Sequence, residues 1–280
     1  MSHSNWSLPA AACVVVALSV WFSPASTSAA PPAHLLVGPL AQSTPAIIGG
    51  VVAKPGQYPN VGQVIMNLKN YGNSSCTGTL IAARWVLTAA HCLAIPGAKL
   101  NGLSFKLDGK TYTSRRWFVH PSYIPTNFSA GNDIALIQLT TSVAGVPFGK
   151  LPTGVPVVGS KLTVVGLGLT GTGWEGTTGR SGMFIPGSQI LRQQTTGVKR
   201  IGTVTADTVT GIHIGWNFVR PQISCTAPGD SGGPAFNAAG EIVGVTSGGT
   251  SSTAIWGTYA FDTRVDLFTA WITTTMASSR

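Results

Sequence analysis

Charged side chains are scarce in this sequence. Asp, Glu, Lys and Arg make up 9% of its 280 residues, whereas an average soluble protein has about 25%. Glycine is abundant instead, with 35 residues, and hydrophobic residues reach 44%, which is ample material for a core. The length allows one large domain or two compact ones. Together these features favour an all-β protein with many turns.

Runs of basic residues are also absent, although the net charge is +9. Arg115-Arg116 and Lys199-Arg200 are the only adjacent pairs of Lys or Arg, and the sequence does not interleave basic with aromatic residues. A nucleic-acid groove needs such clustering. We therefore expect no nucleic-acid partner, and the positive charge serves solubility and general adhesion to anionic polymers.

The sequence lacks an apolar run long enough to cross a bilayer comfortably. The longest candidate, Pro9 to Phe22, has fourteen residues, whereas a membrane-spanning helix needs about 20. This run and the small residues after it predict a secretory signal peptide over residues 1–30, with cleavage near Ala29 or Ala30. A membrane anchor is the alternative. Residues 31–46 are interpreted as a short propeptide, so the protein is expected to be secreted, with no membrane contact once the signal is removed.

Three short motifs carry the chemistry. Gly229-Asp230-Ser231-Gly232-Gly233-Pro234 places a hydroxyl nucleophile between glycines, which allow close approach of backbone to ligand. His91 follows an apolar, strand-like run, and Asp133 precedes another. A serine hydroxyl needs an imidazole to accept its proton, and the imidazole needs a buried carboxylate to fix its tautomer. The predicted catalytic residues are therefore His91, Asp133 and Ser231.

These motifs and their order, histidine then aspartate then serine, resemble the chymotrypsin-like (trypsin-type) serine proteases. The resemblance covers roughly residues 47 to 276 and implies one protease domain over residues 47–280. The implied fold is all-β, with two packed antiparallel six-stranded Greek-key barrels and a C-terminal helix packed on the second barrel. The expected bounds are about 47–148 and 149–263 for the barrels and 264–276 for the helix.

The resemblance also implies roles for further residues. Backbone amides of Gly229 and Ser231 would form the oxyanion hole. Ile47-Ile48-Gly49-Gly50 resembles the mature amino terminus of the family, whose freed ammonium group pairs with the aspartate before the serine, here Asp230. The expected substrate-binding residues are Ser247, Gly248 and Gly249 on one strand, which would pair with substrate backbone, and Gly257 and Tyr259 on the opposite wall of the pocket.

Cysteine is rare, at four residues. In the resemblance, Cys76 and Cys92 form a disulfide beside the histidine, which secretion favours. Their spacing with His91 does not match a zinc pattern, and we expect no metal and no cofactor. Cys13 leaves with the signal peptide, so Cys225 is predicted to be free or intermolecular.

The candidate residues for the base of the specificity pocket are Ile223, Ser224 and Cys225, none of which is acidic. Trypsin-like enzymes use a buried aspartate there to attract Lys or Arg. The sequence therefore predicts a preference for uncharged, apolar side chains. Thr246 stands where relatives that cut after glutamate would have histidine, so acidic specificity is not expected either.

The sequence thus predicts a secreted serine endopeptidase that acts through an acyl-enzyme. Its expected partners are polypeptide substrates, with protein protease inhibitors as further candidates, and we expect a monomer. One alternative is a catalytically inactive secreted binding or antimicrobial protein on the same fold. A second is an esterase with the same triad, although in the usual esterase fold the histidine comes last in sequence.

Overall fold

The computed structural model describes residues 47–127, 130–169, 177–178, 184–185, 196–219, 224–250 and 257–279. The predicted signal peptide and propeptide, residues 1–46, lie outside these ranges, as does the pocket candidate Ile223. None of the helices described is both long and apolar enough to cross a membrane.

The first half of the protein is a closed antiparallel barrel. This half of the chain begins with β1 (Val51–Val52), which pairs with the second sheet. It continues with β2 (Val61–Leu68), β3 (Gly72–Ala82), β4 (Trp85–Thr88), a 3-10 helix (Ala90–Cys92), β5 (Leu100–Leu107), β6 (Lys110–Val119) and β7 (Ala135–Leu139). The barrel closes in the order β2-β3-β4-β7-β6-β5. Val64 and Met66 of β2 are fully buried and alternate with more exposed neighbours, the period-2 pattern of a strand with one face in the core. The first predicted six-stranded barrel is confirmed.

The second half is a curved antiparallel sheet. It comprises β8 (Lys161–Gly166), β11 (Arg200–Thr205), β12 (Thr208–Val209), β13 (His213–Asn217), β14 (Pro234–Phe236), β15 (Ile242–Gly249) and β16 (Tyr259–Arg264), and a separate short pair is formed by β9 (Thr177–Thr178) and β10 (Phe184–Ile185). Eight strands join in the order β1-β11-β8-β14-β15-β16-β13-β12. The all-β class is confirmed. Within the described residues, however, this sheet is open, because its edge strands β1 and β12 have two residues each and do not pair with each other.

The C-terminal helix differs from expectation in its start and its packing. Arg264 still belongs to β16, and its guanidinium pairs with Asp266. A 3-10 turn follows at Asp266–Phe268, and the helix α1 spans Thr269–Ser278. The carbonyl oxygen of Ser279 accepts hydrogen bonds from Gln138 at 2.6 Å and from Arg116 at 2.8 Å. The end of the helix is therefore fixed to the first barrel, not to the second sheet as expected.

Candidate active site

His91 lies in a 3-10 turn at the end of β4, in the first barrel. The small residues Ala89 and Ala90 before it are fully buried, so the turn packs closely against the core. The Cys76–Cys92 disulfide ties this turn to β3, with 6.3 Å between the two Cα atoms. This bond is the one expected from the sequence, and it fixes the backbone directly beside the histidine.

Asp133 is fully buried and surrounded by donors. Its Oδ2 lies 2.7 Å from His91 Nδ1, and its Oδ1 accepts a hydrogen bond of 2.8 Å from the backbone amide of His91. The Ser247 hydroxyl donates a third bond of 2.5 Å to Oδ2. An ionised carboxylate with three such donors is well compensated for its burial. The arrangement keeps the proton of the imidazole on Nδ1 and leaves Nε2 as the basic nitrogen.

A left-handed turn positions Asp133 in front of β7. Gly131 has φ +95° and Asn132 has φ +60°, a conformation that glycine and asparagine tolerate best. The next residue, Ile134, is fully buried and begins the apolar run that continues into β7. The local sequence Gly-Asn-Asp-Ile thus ends the preceding loop and aims the carboxylate at His91.

The Ser231 loop is held against the first barrel by Thr77 of β3. The Thr77 amide donates to the carbonyl oxygen of Ser231 at 2.8 Å, and its hydroxyl donates to the carbonyl oxygen of Gly229 at 2.9 Å. Cys92 Sγ lies 3.8 Å from the Ser231 carbonyl oxygen and 3.9 Å from His91 Nε2. The serine loop and the imidazole therefore meet at the same disulfide sulfur. The sequence analysis did not predict a role for Thr77. The one feature of the sequence that could have indicated this role is its position next to Cys76.

The geometry of the serine loop leaves donors for an oxyanion. Gly229 has φ +94°, which favours glycine. Its carbonyl is already used by Thr77. In the described part of the chain the amides of Gly229 and Ser231 have no acceptor, whereas the amides of Gly232 and Gly233 donate to Thr246 and Asp230. Two unused amides flanking a nucleophile are what an oxyanion hole requires.

Known proteins are similar to this chain in sequence. Residues 47–272 match the family model described as Trypsin. The chain belongs to the trypsin family. Brachyurin of Leptuca pugilator is 33% identical over 238 residues, covering 81% of this chain and 97% of the relative. Serine protease SP24D of Anopheles gambiae is 33% identical, with coverage of 82% and 81%, and trypsin of Phaedon cochleariae is 32% identical, with coverage of 70% and 77%.

Membership of the trypsin family makes this protein a serine-type endopeptidase, a hydrolase whose substrates are polypeptides. The described residues include one cluster of three potential metal donors, namely Cys76, His91 and Cys92. Both of its cysteines are consumed by the disulfide, so they have no thiolate to offer a metal. This cluster gives no support to a metal centre.

Asp230, the second carboxylate of the site, is fully buried beside Ile47. Its oxygens accept hydrogen bonds of 2.9 Å from the amides of Gly168 and Ala227, and the Ile47 amide is a third donor. Burial raises the pKa of Asp230 to about 7, and these amides together with the Arg200 charge oppose that rise. A Cβ on Gly168 would lie 2.5 Å from the Asp230 amide nitrogen. Residue 168 must therefore be glycine for its loop to pack so closely against the backbone of Asp230.

The segment starting at Ile47 is inserted next to the serine loop. The side chains of Ile47 and Ile48 are fully buried. Ile48 forms an antiparallel bridge with Cys225, with N–O distances of 2.8 and 3.0 Å. The predicted partners Ile47 and Asp230 are thus brought together, and the bridge places Cys225 at the base of the same loop.

The residues predicted to bind substrate fall into two groups. Ser247, Gly248 and Gly249 end β15, immediately after the bonds from Thr246 to the serine loop. Tyr259 instead packs over Gly215 of β13, where a Cβ would lie within 2 Å of its hydroxyl, and bonds to Thr208 at 2.7 Å. Gly257 is exposed, with φ +91°. The end of β15 therefore contacts Asp133 through Ser247, whereas Tyr259 faces the outer strands.

Proposed function

We propose that Ser231, His91 and Asp133 form the catalytic triad of this endopeptidase. The observation that carries the proposal is Asp133, which is fully buried, bonds the imidazole at Nδ1 and is itself held by Ser247. A carboxylate so placed orients the histidine and stabilises the imidazolium that forms during turnover.

Peptide cleavage then follows in two steps. His91 Nε2 removes the Ser231 proton as the hydroxyl oxygen attacks the scissile carbonyl, and the Gly229 and Ser231 amides stabilise the oxyanion. His91 returns the proton to the leaving amine, which leaves an acyl-enzyme on Ser231. Water, activated by the same nitrogen, hydrolyses the ester and regenerates the serine.

The proposed active form begins at Ile47. Cleavage after Ala46 would convert the Ile47 amide into an ammonium group, next to a carboxylate that burial makes costly to ionise. The new ion pair would stabilise the ionised form of Asp230 and order the loop that carries the oxyanion donors. Secretion, with a signal peptide over residues 1–30 and a propeptide over residues 31–46, belongs to the same proposal.

The test is the intact mass of the secreted protein before and after treatment with a fluorophosphonate. We expect one adduct on a chain that begins at Ile47 and none on the Ser231→Ala variant. Ser142→Ala, which changes an exposed serine of the first half, is the matched control and should label like the wild type. A correctly processed wild-type chain that takes no adduct would overturn the proposal and favour an inactive binding protein.

The same preparation is assayed for cleavage of amide bonds in a peptide pool and, in parallel, for hydrolysis of simple esters. Ester cleavage alone would favour the esterase alternative. The preference for uncharged side chains, predicted from Ile223, Ser224 and Cys225, belongs to the same proposal, and the residues before the bonds cleaved in the peptide pool test it.

A further inference from the structure

Arg200 is a buried cation in the second sheet. It begins β11 and is 3% exposed. Along this strand Arg200, Gly202 and Val204 are buried and alternate with more exposed residues, so the arginine side chain lies on the face that is turned to the core. Burial lowers its pKa, but a guanidinium stays charged in proteins. Because a buried charge is costly without an opposite charge, we looked for its partner.

The opposite charge near Arg200 is that of Asp230, the residue before the nucleophile. Arg200 is paired with Gly166 of β8, and a Cβ on Gly166 would overlap Asp230 Oδ1. Against the larger effects of burial, Asp230 raises the pKa of Arg200 and Arg200 lowers the pKa of Asp230. The same face of β11 contacts Ile47, because a Cβ on Gly202 would lie 2.6 Å from Ile47 Cγ2. Arg200 therefore belongs to the pocket that contains Asp230 and Ile47.

The turn before Ser231 is closed by the ionised form of Asp230. The Asp230 amide donates to the carbonyl oxygen of Ala227, and Asp230 Oδ2 accepts from the Ala227 amide, both at 2.9 Å. Oδ1 accepts from the amide of Gly168 at 2.9 Å. Protonation would weaken the bonds to the carboxylate, since an ionised acceptor binds donors more strongly than a neutral one. Because the turn contains Gly229, whose amide is a proposed oxyanion donor, a charge that keeps Asp230 ionised also positions that donor.

Before cleavage, Ile47 offers Asp230 a hydrogen bond but no positive charge. In the structure Ile47 is still joined to Ala46, yet its side chain is already fully buried and its amide donates to Asp230. Its φ of +46° is one that a β-branched residue rarely adopts, and cleavage would remove this constraint. The cation that compensates Asp230 before cleavage is therefore Arg200, whereas cleavage adds an ammonium group and relieves the strain at Ile47.

We propose that Arg200 is a positioning residue that holds the serine loop in its active arrangement before cleavage, so that the chain still joined at Ala46 is already a working endopeptidase. Cleavage before Ile47 then raises the activity by a modest factor and does not create it. The inference rests on the proposed function of Ser231 and adds its regulation. The internal arginine sets a basal activity, and the new amino terminus increases it.

The experiment compares a cleaved with an uncleaved secreted chain. The cleaved form is the wild type that begins at Ile47, and the uncleaved form is Ala46→Pro, which changes the residue before the cleaved bond and leaves the Ile47 amide in place. Intact mass identifies each form. At pH 7 the uncleaved chain should react with the fluorophosphonate, and cleave the peptide pool, at no less than about a tenth of the rate of the cleaved chain, because about half of Asp230 is ionised when its pKa is about 7.

Arg200→Gln in the uncleaved chain should lower both rates by about a hundredfold, since a nearby opposite charge favours an ionised carboxylate by about 10- to 1,000-fold. In the cleaved chain the same substitution should cost less than about tenfold, because the Ile47 ammonium group supplies a charge. Arg200→Lys keeps the charge and should stay within about tenfold of the parent in both forms. Arg115→Gln, which changes an exposed arginine of β6, is the charge-matched control and should change neither rate.

Labelling of the cleaved wild type separates this inference from the proposed function. If that chain takes no adduct, the proposed function fails. If it is labelled but the uncleaved chain is not, the inference alone is overturned. Equal losses from Arg200→Gln in the two forms, or no loss in either, would also overturn it. If Arg200→Gln does not fold, Arg200→Lys decides, because an uncleaved lysine variant without activity, beside an active cleaved one, would mean that the charge at residue 200 is not what positions the loop.

Discussion

Asp133 and Asp262 are both fully buried, and both are placed against β15, yet their surroundings are opposite. Asp133 accepts bonds from the His91 ring, the His91 amide and the Ser247 hydroxyl. Asp262, opposite the neighbouring residue Thr246, has no partner of ordinary hydrogen-bond geometry among the described residues, and the Thr246 hydroxyl offsets only part of the rise in pKa that burial causes. Burial is therefore the same at the two aspartates, and only their partners differ.

The difference indicates what each carboxylate can do. A carboxylate whose donors are all internal is fixed in charge and position, which is what a residue that orients His91 needs. A carboxylate without such donors is costly to ionise in the interior, so Asp262 keeps its proton to a higher pH than an exposed aspartate does. The contrast can be tested by replacing each aspartate in turn.

The largest effect is expected at Asp133. Asp133→Asn should lower kcat by about 10⁴-fold, because an amide favours the wrong imidazole tautomer and cannot stabilise the imidazolium. The measurement is peptide hydrolysis per titrated active site, with Asp108→Asn as the control for loss of one negative charge. A fall of less than about tenfold would mean that Asp133 does not orient the catalytic histidine.

The second effect is on stability and its pH dependence, at Asp262. The pKa of Asp262 is raised to about 8 in the folded protein, whereas an unfolded aspartate titrates near about 3.9. Between about pH 4 and pH 8 the unfolded chain releases this proton and the folded protein retains it, so the free energy of unfolding falls as pH rises. Asp262→Asn should remove this part of the slope, which is worth on the order of a few kcal/mol over the window.

Denaturant unfolding at several pH values checks this, in a Ser231→Ala background that prevents self-digestion. Asp230, whose pKa is also raised, to about 7, contributes in the same direction to both proteins and cancels in the difference. The Cys225 thiol, with a pKa of about 12, stays neutral throughout. Parallel pH profiles for the two proteins would show that Asp262 is already compensated in the folded state.

The proposed triad residues could be picked out from the sequence because each lies in a short local motif. Gly131 and Asn132 before Asp133, and the glycines around Ser231, encode their turns directly in the sequence. The Cys76–Cys92 disulfide, which the structure confirms, was implied by the resemblance of the segments around these cysteines to the serine proteases. These features need no knowledge of which distant strands meet.

The burial of Asp262 could not be predicted in this way, because it depends on which strands meet and in which register. In the structure both faces of β16 are largely covered. The register of β15 against β16 also shifts between Thr246 and Gly248, which no local pattern encodes. Thr77 was missed for the same reason, since its bonds join residues about 150 positions apart.

The smallest effect tests whether Ser247 is a true partner of Asp133. Ser247→Ala removes one of the three donors and leaves both bonds from His91 in place. The loss of a hydrogen bond to a charged group should lower kcat by roughly tenfold, equivalent to about 1.4 kcal/mol. It should leave the pH dependence of unfolding that Asp262 causes unaltered, because Asp262 is opposite Thr246 and not Ser247. If that pH dependence changes together with kcat, the two aspartates are coupled through β15, and the contrast between a carboxylate with internal donors and one without them does not hold.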